Sequence, residues 1–262
     1  MRMKWTVEQI REICENASEI IMSYYKTDLK ISSKEDDTPV TVADKASDKL
    51  IRAALKLLED IPILSEETLD TKERLKASRI WLVDPLDGTK DFIGKTDEFA
   101  INIALIENRR PVFGAIYIPV KKEFYYAFKG QGAFMHKDGT TTGIHVSERI
   151  EDLRLLKSRF YKSGRHEAIE IKYGHLIEAV HAAGSCYKGC LIAKGEGECY
   201  FRYGLTSEWD TAPMDLIVHE AGGIVRQMDG TLFEYNREDT INRIGFYVVN
   251  NKKNILDAQE RL

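Results

Sequence analysis

The chain has 262 residues, 43% of them hydrophobic and 31% charged, with 38 Lys and Arg set against 42 Asp and Glu. That length and balance exclude a disordered segment, a disulfide-dense miniprotein and a membrane bundle, and they suffice for two modest domains sharing an interface. A net charge of −4 lacks the basic footprint of a dedicated nucleic-acid binder, yet leaves a local cationic site for a small anionic substrate open.

The opening stretch MRMKWTVEQIREICENA carries Glu8, Arg11 and Glu15, so it reads neither as a signal peptide nor as a membrane span, and a cytoplasmic location is expected. Thr6 followed by Gln9 forms a capping-box pattern, after which Val7, Ile10, Ile13, Ala17, Ile20, Ile21 and Tyr24 mark one helical face. A second helix is predicted over 41–60, with Leu50, Ile51, Ala54, Leu57 and Leu58 at helical spacing after Pro39. IPIL (61–64) and IWLV (80–83) read as strands that end in acids, at Glu66 and Glu67 and at Asp84. From Phe99 to Met135, FAINIALI, PVFGAIYI and EFYYAF alternate with turn sequences, the pattern of an antiparallel meander. Residues 1–145 therefore read as an α+β domain.

After residue 145 short strands alternate with helical stretches, through LRLLKS, a helix over 166–173, IEAVHA, SCYKGCLIAK, ECYFRY and SEWDTAPMDLIVHEAGG, to a last strand IGFYVV (244–249) and a closing helix. Residues 146–262 read as an α/β domain. Cys14, Cys186, Cys190 and Cys199 fit no metal or disulfide pattern and are expected as buried thiols in a reducing compartment. No two of the six histidines stand at zinc-site spacing.

WLVDPLDGTKDF (81–92) concentrates the chemistry. Pro85 keeps Asp84 from running into a helix, and Asp87-Gly88-Thr89 can turn the chain into one whose first amides suit a phosphate. Carboxylates gathered in a cleft repel unless protonated or neutralised by cations, and oxygen ligands without His or Cys favour Mg²⁺, with Mn²⁺ as the near substitute. Singly, each acid has a plainer reading: Asp44 as the third-position acid of a cap at Thr41, Glu66 and Glu67 as a solvated turn, Asp91 and Asp210 as first-turn helix acids. A calcium loop fails because Pro85 and Leu86 separate the aspartates. The Asp-x-Asp-Gly-Thr pattern of haloacid dehalogenase phosphatases fails because the acids are three apart.

Four segments in order, TPVTVADKASD (38–48), LSEE (64–67), WLVDPLDGTKDF (81–92) and EWDTAPMDLIVHEAGG (208–223), resemble the lithium-sensitive, magnesium-dependent inositol monophosphatase superfamily, with matching spacing over nearly the whole chain. The resemblance implies a layered αβαβα sandwich with the site between its halves. It implies one Mg²⁺ on Glu66, Asp84 and the carbonyl of Leu86, and a second on Asp84, Asp87 and Asp210, with a third ion and a homodimer left open and Li⁺ as an inhibitor. Thr89 and Asp44 correspond to the pair that orients and deprotonates the attacking water, and Gly88 and Thr89 to the phosphate cradle.

Within that superfamily Lys90 after DGT is similar to the 3′(2′),5′-bisphosphate nucleotidases, where inositol phosphatases carry Thr-Asn. Arg202 replaces the glutamate that inositol phosphatases use for sugar hydroxyls, and an arginine prefers a second phosphate. GSCYKGC (184–190) resembles the nucleotidase Gly-Ser-Ser-x-Lys-x-Cys, placing Ser185 and Lys188 near the nucleotide. The nucleotidase Ser-Arg-Ser-His is half kept as Ser158-Arg159-Phe160-Tyr161. The expected activity is hydrolysis of the 3′-phosphate of 3′-phosphoadenosine 5′-phosphate to AMP. The alternatives are an inositol-1-phosphate or fructose-1,6-bisphosphate phosphatase, and a non-catalytic metal- or nucleotide-binding regulator. No nucleic-acid polymer or membrane partner is expected.

Overall fold

In the computed structural model, which describes residues 3–25, 39–161 and 163–256, the chain enters its first helix through the anticipated cap. The Thr6 N–H donates to Gln9 Oε1 at 2.9 Å, and the Gln9 N–H donates to Thr6 Oγ1 at 3.4 Å. Such a cap contributes about 1 kcal/mol. Helix α1 (Val7–Tyr25) buries Ile10, Ile13, Cys14, Ala17 and Ile21. Its last buried aromatic is Tyr25 and not the expected Tyr24, because the Tyr25 ring packs on Phe92 and Phe99 while its hydroxyl donates to Asp97 at 2.7 Å.

Helix α2 (Pro39–Leu58) starts two residues earlier than predicted, with Pro39 at the first helical position, where a missing N–H has no partner to lose. Leu57, expected on the buried face, is 89% exposed. The inward stripe is Val40, Ala43, Ile51 and Leu55 together with the buried polar residues Asp44, Ser47 and Asp48.

Seven strands follow one another across the first sheet: β1 (Ile63–Ser65), β2 (Arg79–Asp87), β3 (Ala100–Glu107), β4 (Arg110–Ile118), β5 (Glu123–Phe128), β6 (Ala133–Lys137) and β7 (Thr140–Ile144). β1 runs parallel to β2, and every later pair is antiparallel, as the meander requires. β7 was not legible, since TTTGI buries only Ile144. β2 does not stop at Asp84. Its pairing with β3 shifts register between Asp84 and Asp87 and then resumes, because Pro85 has no N–H for the ladder. The five-residue helix α3 (Thr89–Ile93) follows at once, with Gly88 as its cap at φ 89°, a left-handed conformation that a side chain would strain.

The expected boundary at 145/146 lies between β7 and the first strand of a second sheet. That sheet is built from β8 (Leu153–Ser158), β9 (Ile177–Ala183), β10 (Cys199–Arg202), β12 (Ile224–Gln227) and β14 (Phe246–Val249), in the order β12-β14-β10-β8-β9. Helices α4 (Gly164–Tyr173), α5 (Tyr187–Ala193) and α6 (Glu208–Glu220) connect them, and β11 (Thr206–Ser207) pairs with β13 (Ile241–Asn242). SCYKGCLIAK, grouped with the strands and helical stretches by its rhythm, supplies α5. The closing helix is described only as a short 3₁₀ turn over Lys252–Asn254, and residues 257–262 lie outside the described residues.

Alternate residues of each strand feed different cores, as period-two geometry dictates. Trp81, Val83, Ile101 and Ile103 pack under α1 and α2. Ile80, Leu82, Ala104 and Ile116 face the other way and meet α5, α6 and the inner residues Leu156, Tyr200 and Val248 of the second sheet. Leu155, Phe201 and Val249 close a third core with Ile169 of α4. The layers are therefore helices, sheet, helices, sheet, helix. α6 lies close enough on β4 that a Cβ at Gly114 would sit 2.9 Å from the backbone of Pro213, so only glycine admits the crossing. Among the described residues no helix is long and apolar enough to cross a membrane.

Candidate active site

β1 and β2 are parallel, so their carboxyl ends deliver Glu66 and Asp84 to the same edge of the sheet. The register break at Pro85 and Leu86 turns Asp87 toward that edge as well. Asp210 arrives from the second half of the chain, in the first turn of α6, where its carboxylate accepts the Ser207 N–H at 2.6 Å in a capping box. One ligand oxygen each of Asp84, Asp87 and Asp210 lie within 4.8 Å of one another.

These carboxylates are strained electrostatically. Burial first, then the charges of Glu66, Asp87 and Asp210, hold Asp84 well above the usual carboxylate range. Burial and then Asp87 push Asp210 up to about 7. Glu66 is raised by burial, Asp87 and Glu67. Asp44, buried on α2, is pushed up to about 9 by burial and by Glu67, Glu66 and Asp48, and its Oδ1 is buried with no hydrogen-bond partner. A cluster that can ionise only at such a penalty, made wholly of hard oxygen donors, is suited to a divalent cation.

The acids open into a cavity of about 400 Å³ that also takes in Gly88, Thr89, Lys90, Ser185, Lys188 and Arg202. Of the residues singled out from the sequence, Glu66, Asp84, Leu86, Asp87 and Asp210 all line it, whereas Asp44 is not part of its wall. Thr89 and Lys90 are exposed at its mouth. Leu86 is buried, and its N–H donates to Asp84 Oδ1 at 3.1 Å.

Ser185 and Lys188 are engaged with the protein itself. The Ser185 hydroxyl donates to Asp87 Oδ2, and the Lys188 ammonium donates to the carbonyls of Ser185 at 2.8 Å and Ala183 at 3.1 Å. Burial pushes Lys188 down to about 8. Asp91, read from the sequence as a first-turn helix acid, is buried and accepts the Thr96 hydroxyl at 2.6 Å; it borders the same cavity but is not one of the three grouped acids.

Several supporting residues escaped the sequence reading. Asp87 Oδ2 also accepts the Cys186 N–H at 2.8 Å and Asn102 Nδ2–H at 3.2 Å. Asn102 is 1% exposed inside the apolar strand FAINIALI, and a lone amide there is the signal that could have found it.

The sequence matches the inositol monophosphatase family over residues 4–261. The 3′(2′),5′-bisphosphate nucleotidase CysQ of Salmonella typhimurium is 37% identical over 246 residues, which cover 92% of this chain and 98% of that protein. CysQ of Escherichia coli strain K12 is 34% identical with the same coverage. Among solved structures, CysQ from Bacteroides thetaiotaomicron superposes with a TM-score of 0.82 at 32% identity, covering 94% of this chain and 98% of that one. An inositol monophosphatase from Zymomonas mobilis gives 0.79 at 25% identity, with 96% and 94% covered.

Proposed function

Because the chain belongs to the inositol monophosphatase family, a family of phosphatases, we propose that it hydrolyses the 3′-phosphate of 3′-phosphoadenosine 5′-phosphate, giving AMP and phosphate. The observation that carries this reading is one cavity lined both by the clustered acids Asp84, Asp87 and Asp210 and by the cations Lys90 and Arg202. Relatives at 34 to 37% identity are nucleotidases for such bisphosphates, which supports the choice of ester.

The donor set fits Mg²⁺: Asp84, Asp87 and Asp210 crowd their oxygens together, burial and neighbouring charge raise Asp84 and Asp210, and nearby Asp44 keeps an unpartnered buried oxygen. Glu66, Asp84 and the Leu86 carbonyl would hold one ion, and Asp84, Asp87 and Asp210 a second. Bound there, the ions would neutralise the acids and stabilise charge on the transferring phosphoryl group and the leaving oxygen. Gly88 and Thr89 present backbone amides to the phosphate. The Thr89 hydroxyl orients a water for in-line attack on phosphorus and relays its proton toward Asp44, the general base. The bond from phosphorus to the 3′-oxygen breaks, and that oxygen is protonated as AMP leaves. No covalent enzyme intermediate forms. Four free, buried cysteines support a reducing, cytoplasmic setting.

Phosphate release with Mg²⁺ from the bisphosphate nucleotide, inositol 1-phosphate and fructose 1,6-bisphosphate, with and without Li⁺, tests the reading. Preference for inositol 1-phosphate sinks it. A regulator without turnover would lack a ligand, and every acid matched to the metal pattern is present here.

A further inference from the structure

Lys90 follows the first residue of α3 and Arg202 ends β10, yet both stand over one ring. Lys90 Nζ lies 4.3 Å from the centroid of Tyr161, and Arg202 Cζ lies 3.9 Å from it. Tyr161, just beyond β8, is half exposed and lines the cavity beside them. Arg202 is 9% exposed; its Nη2 donates to the Leu205 carbonyl at 3.2 Å, and its Nε is buried with no partner. Among the described residues no carboxylate pairs with either cation.

Two unpaired cations gathered at one place repel each other. The electron-rich face of an aromatic ring offsets part of that repulsion and fixes where each charge sits. A guanidinium held against a ring still has N–H donors free for an anion, and a buried Nε without an acceptor is a donor awaiting one. We propose that Tyr161 is a specificity-determining positioning residue, which holds Lys90 and Arg202 together as a seat for the second phosphate of the substrate. This rests on the bisphosphate reading above. The sequence places Tyr161 where the nucleotidase pattern has histidine, so the departure from that pattern becomes the device that organises the two cations.

The test compares the wild-type chain with Tyr161→Leu and Tyr161→Phe on 3′-phosphoadenosine 5′-phosphate and on adenosine 3′-phosphate, which keeps the scissile ester and the base but lacks the 5′-phosphate. Tyr161→Leu is expected to lose roughly tenfold more kcat/KM on the bisphosphate than on the monophosphate, chiefly through KM. Tyr161→Phe, which keeps the ring, should retain the wild-type ratio. An unchanged ratio in Tyr161→Leu overturns the proposal, and so does an equal loss on both esters, which would mean that the ring stacks on the base. A Phe variant as impaired as the Leu variant also overturns it. Should Tyr161→Leu melt early, Tyr161→Met supplies a second side chain without a ring and the same ratio is read. A wild-type enzyme that shows no preference for the bisphosphate overturns the functional reading itself, an outcome visible before any variant is made.

Discussion

Asp48 of α2 accepts the hydroxyl of Ser65, the last residue of β1. One turn before Asp48 on the same helix stands Asp44, and one residue after Ser65 stands Glu66. The Asp48 carboxylate also accepts Arg52 Nη1–H at 3.1 Å and the Thr68 hydroxyl at 3.2 Å, so it grips both sides of the turn that presents Glu66 and Glu67. That carboxylate thereby fixes the spacing between α2, which carries the proposed base Asp44, and the end of β1, which leads into the proposed ligand Glu66.

Asp48→Ala should therefore act through Mg²⁺. Loss of an outer partner that orients a ligand typically weakens metal binding by 10- to 100-fold, and the lower end, about tenfold, is expected because Asp48 holds the turn and not Glu66 itself. Phosphate release titrated against Mg²⁺ checks this: the half-saturating concentration should rise while turnover at saturating Mg²⁺ recovers. An unchanged Mg²⁺ requirement would show that the turn holds its place without Asp48.

Asp84 gives the opposite balance of stability and function. It is 1% exposed and raised by burial and by four neighbouring acids. Asp84→Asn keeps an acceptor for the Leu86 N–H and removes one charge from a repelling group. Turnover should fall at least about 100-fold, since the residue is matched to both ion positions. The melting temperature without metal should equal or exceed that of the wild type. A large loss of metal-free stability would show that Asp84 supports the fold through contacts beyond its charge.

The same burial and repulsion set a pH dependence. Asp44, pushed up to about 9, and Asp210, pushed up to about 7, bind protons in the folded chain that an unfolded chain releases near 3.8. For acids raised in this way the stability is full below the unfolded value and is lost as pH rises through 7 and toward 9. Without divalent cations the melting temperature should fall steadily across that range. Added Mg²⁺ should raise it, and by more at the alkaline end, where the carboxylates are free to bind. Thermal scans with chelator and with Mg²⁺ read both trends, and a metal-free melting temperature that climbs between about pH 5 and 8 contradicts the assignment.

These relationships explain which parts of the site the sequence discloses. Asp84 and Asp87 are visible because strand, proline and glycine mark one turn, and a local pattern carries local chemistry. Glu66 and Asp210 each look like ordinary helix or turn acids, and only the ordered set of four segments links them to the same site. The inward stripe of α2 includes Asp44, Ser47 and Asp48, which an apolar count omits, so helical spacing of apolar residues alone puts Leu57 on a face it does not share. The buried polar residues that mislead a hydrophobic reading are the ones turned toward the acids, with Ser47 donating to the Pro85 carbonyl and Asp48 accepting from Ser65. Contacts such as Ser185 to Asp87 join residues 98 apart in sequence and follow from how the two sheets meet.

Lys188 illustrates that last point and yields a further prediction. Its ammonium, 3% exposed, donates to Ala183 and Ser185 carbonyls and lies 4.9 Å from the centroid of the Tyr200 ring. By holding the Ser185 carbonyl it sets the turn from which the Ser185 hydroxyl and the Cys186 N–H reach Asp87. Lys188→Met keeps most of the stem and removes the donors, leaving two carbonyls short of partners in a buried place. The variant should lose kcat by roughly tenfold, with KM for the bisphosphate changed far less, because an interaction that orients Asp87 matters to the transition state. Steady-state kinetics decide between this role and direct substrate binding. A rise in KM with kcat intact would place the ammonium on the substrate, as the sequence pattern alone suggested.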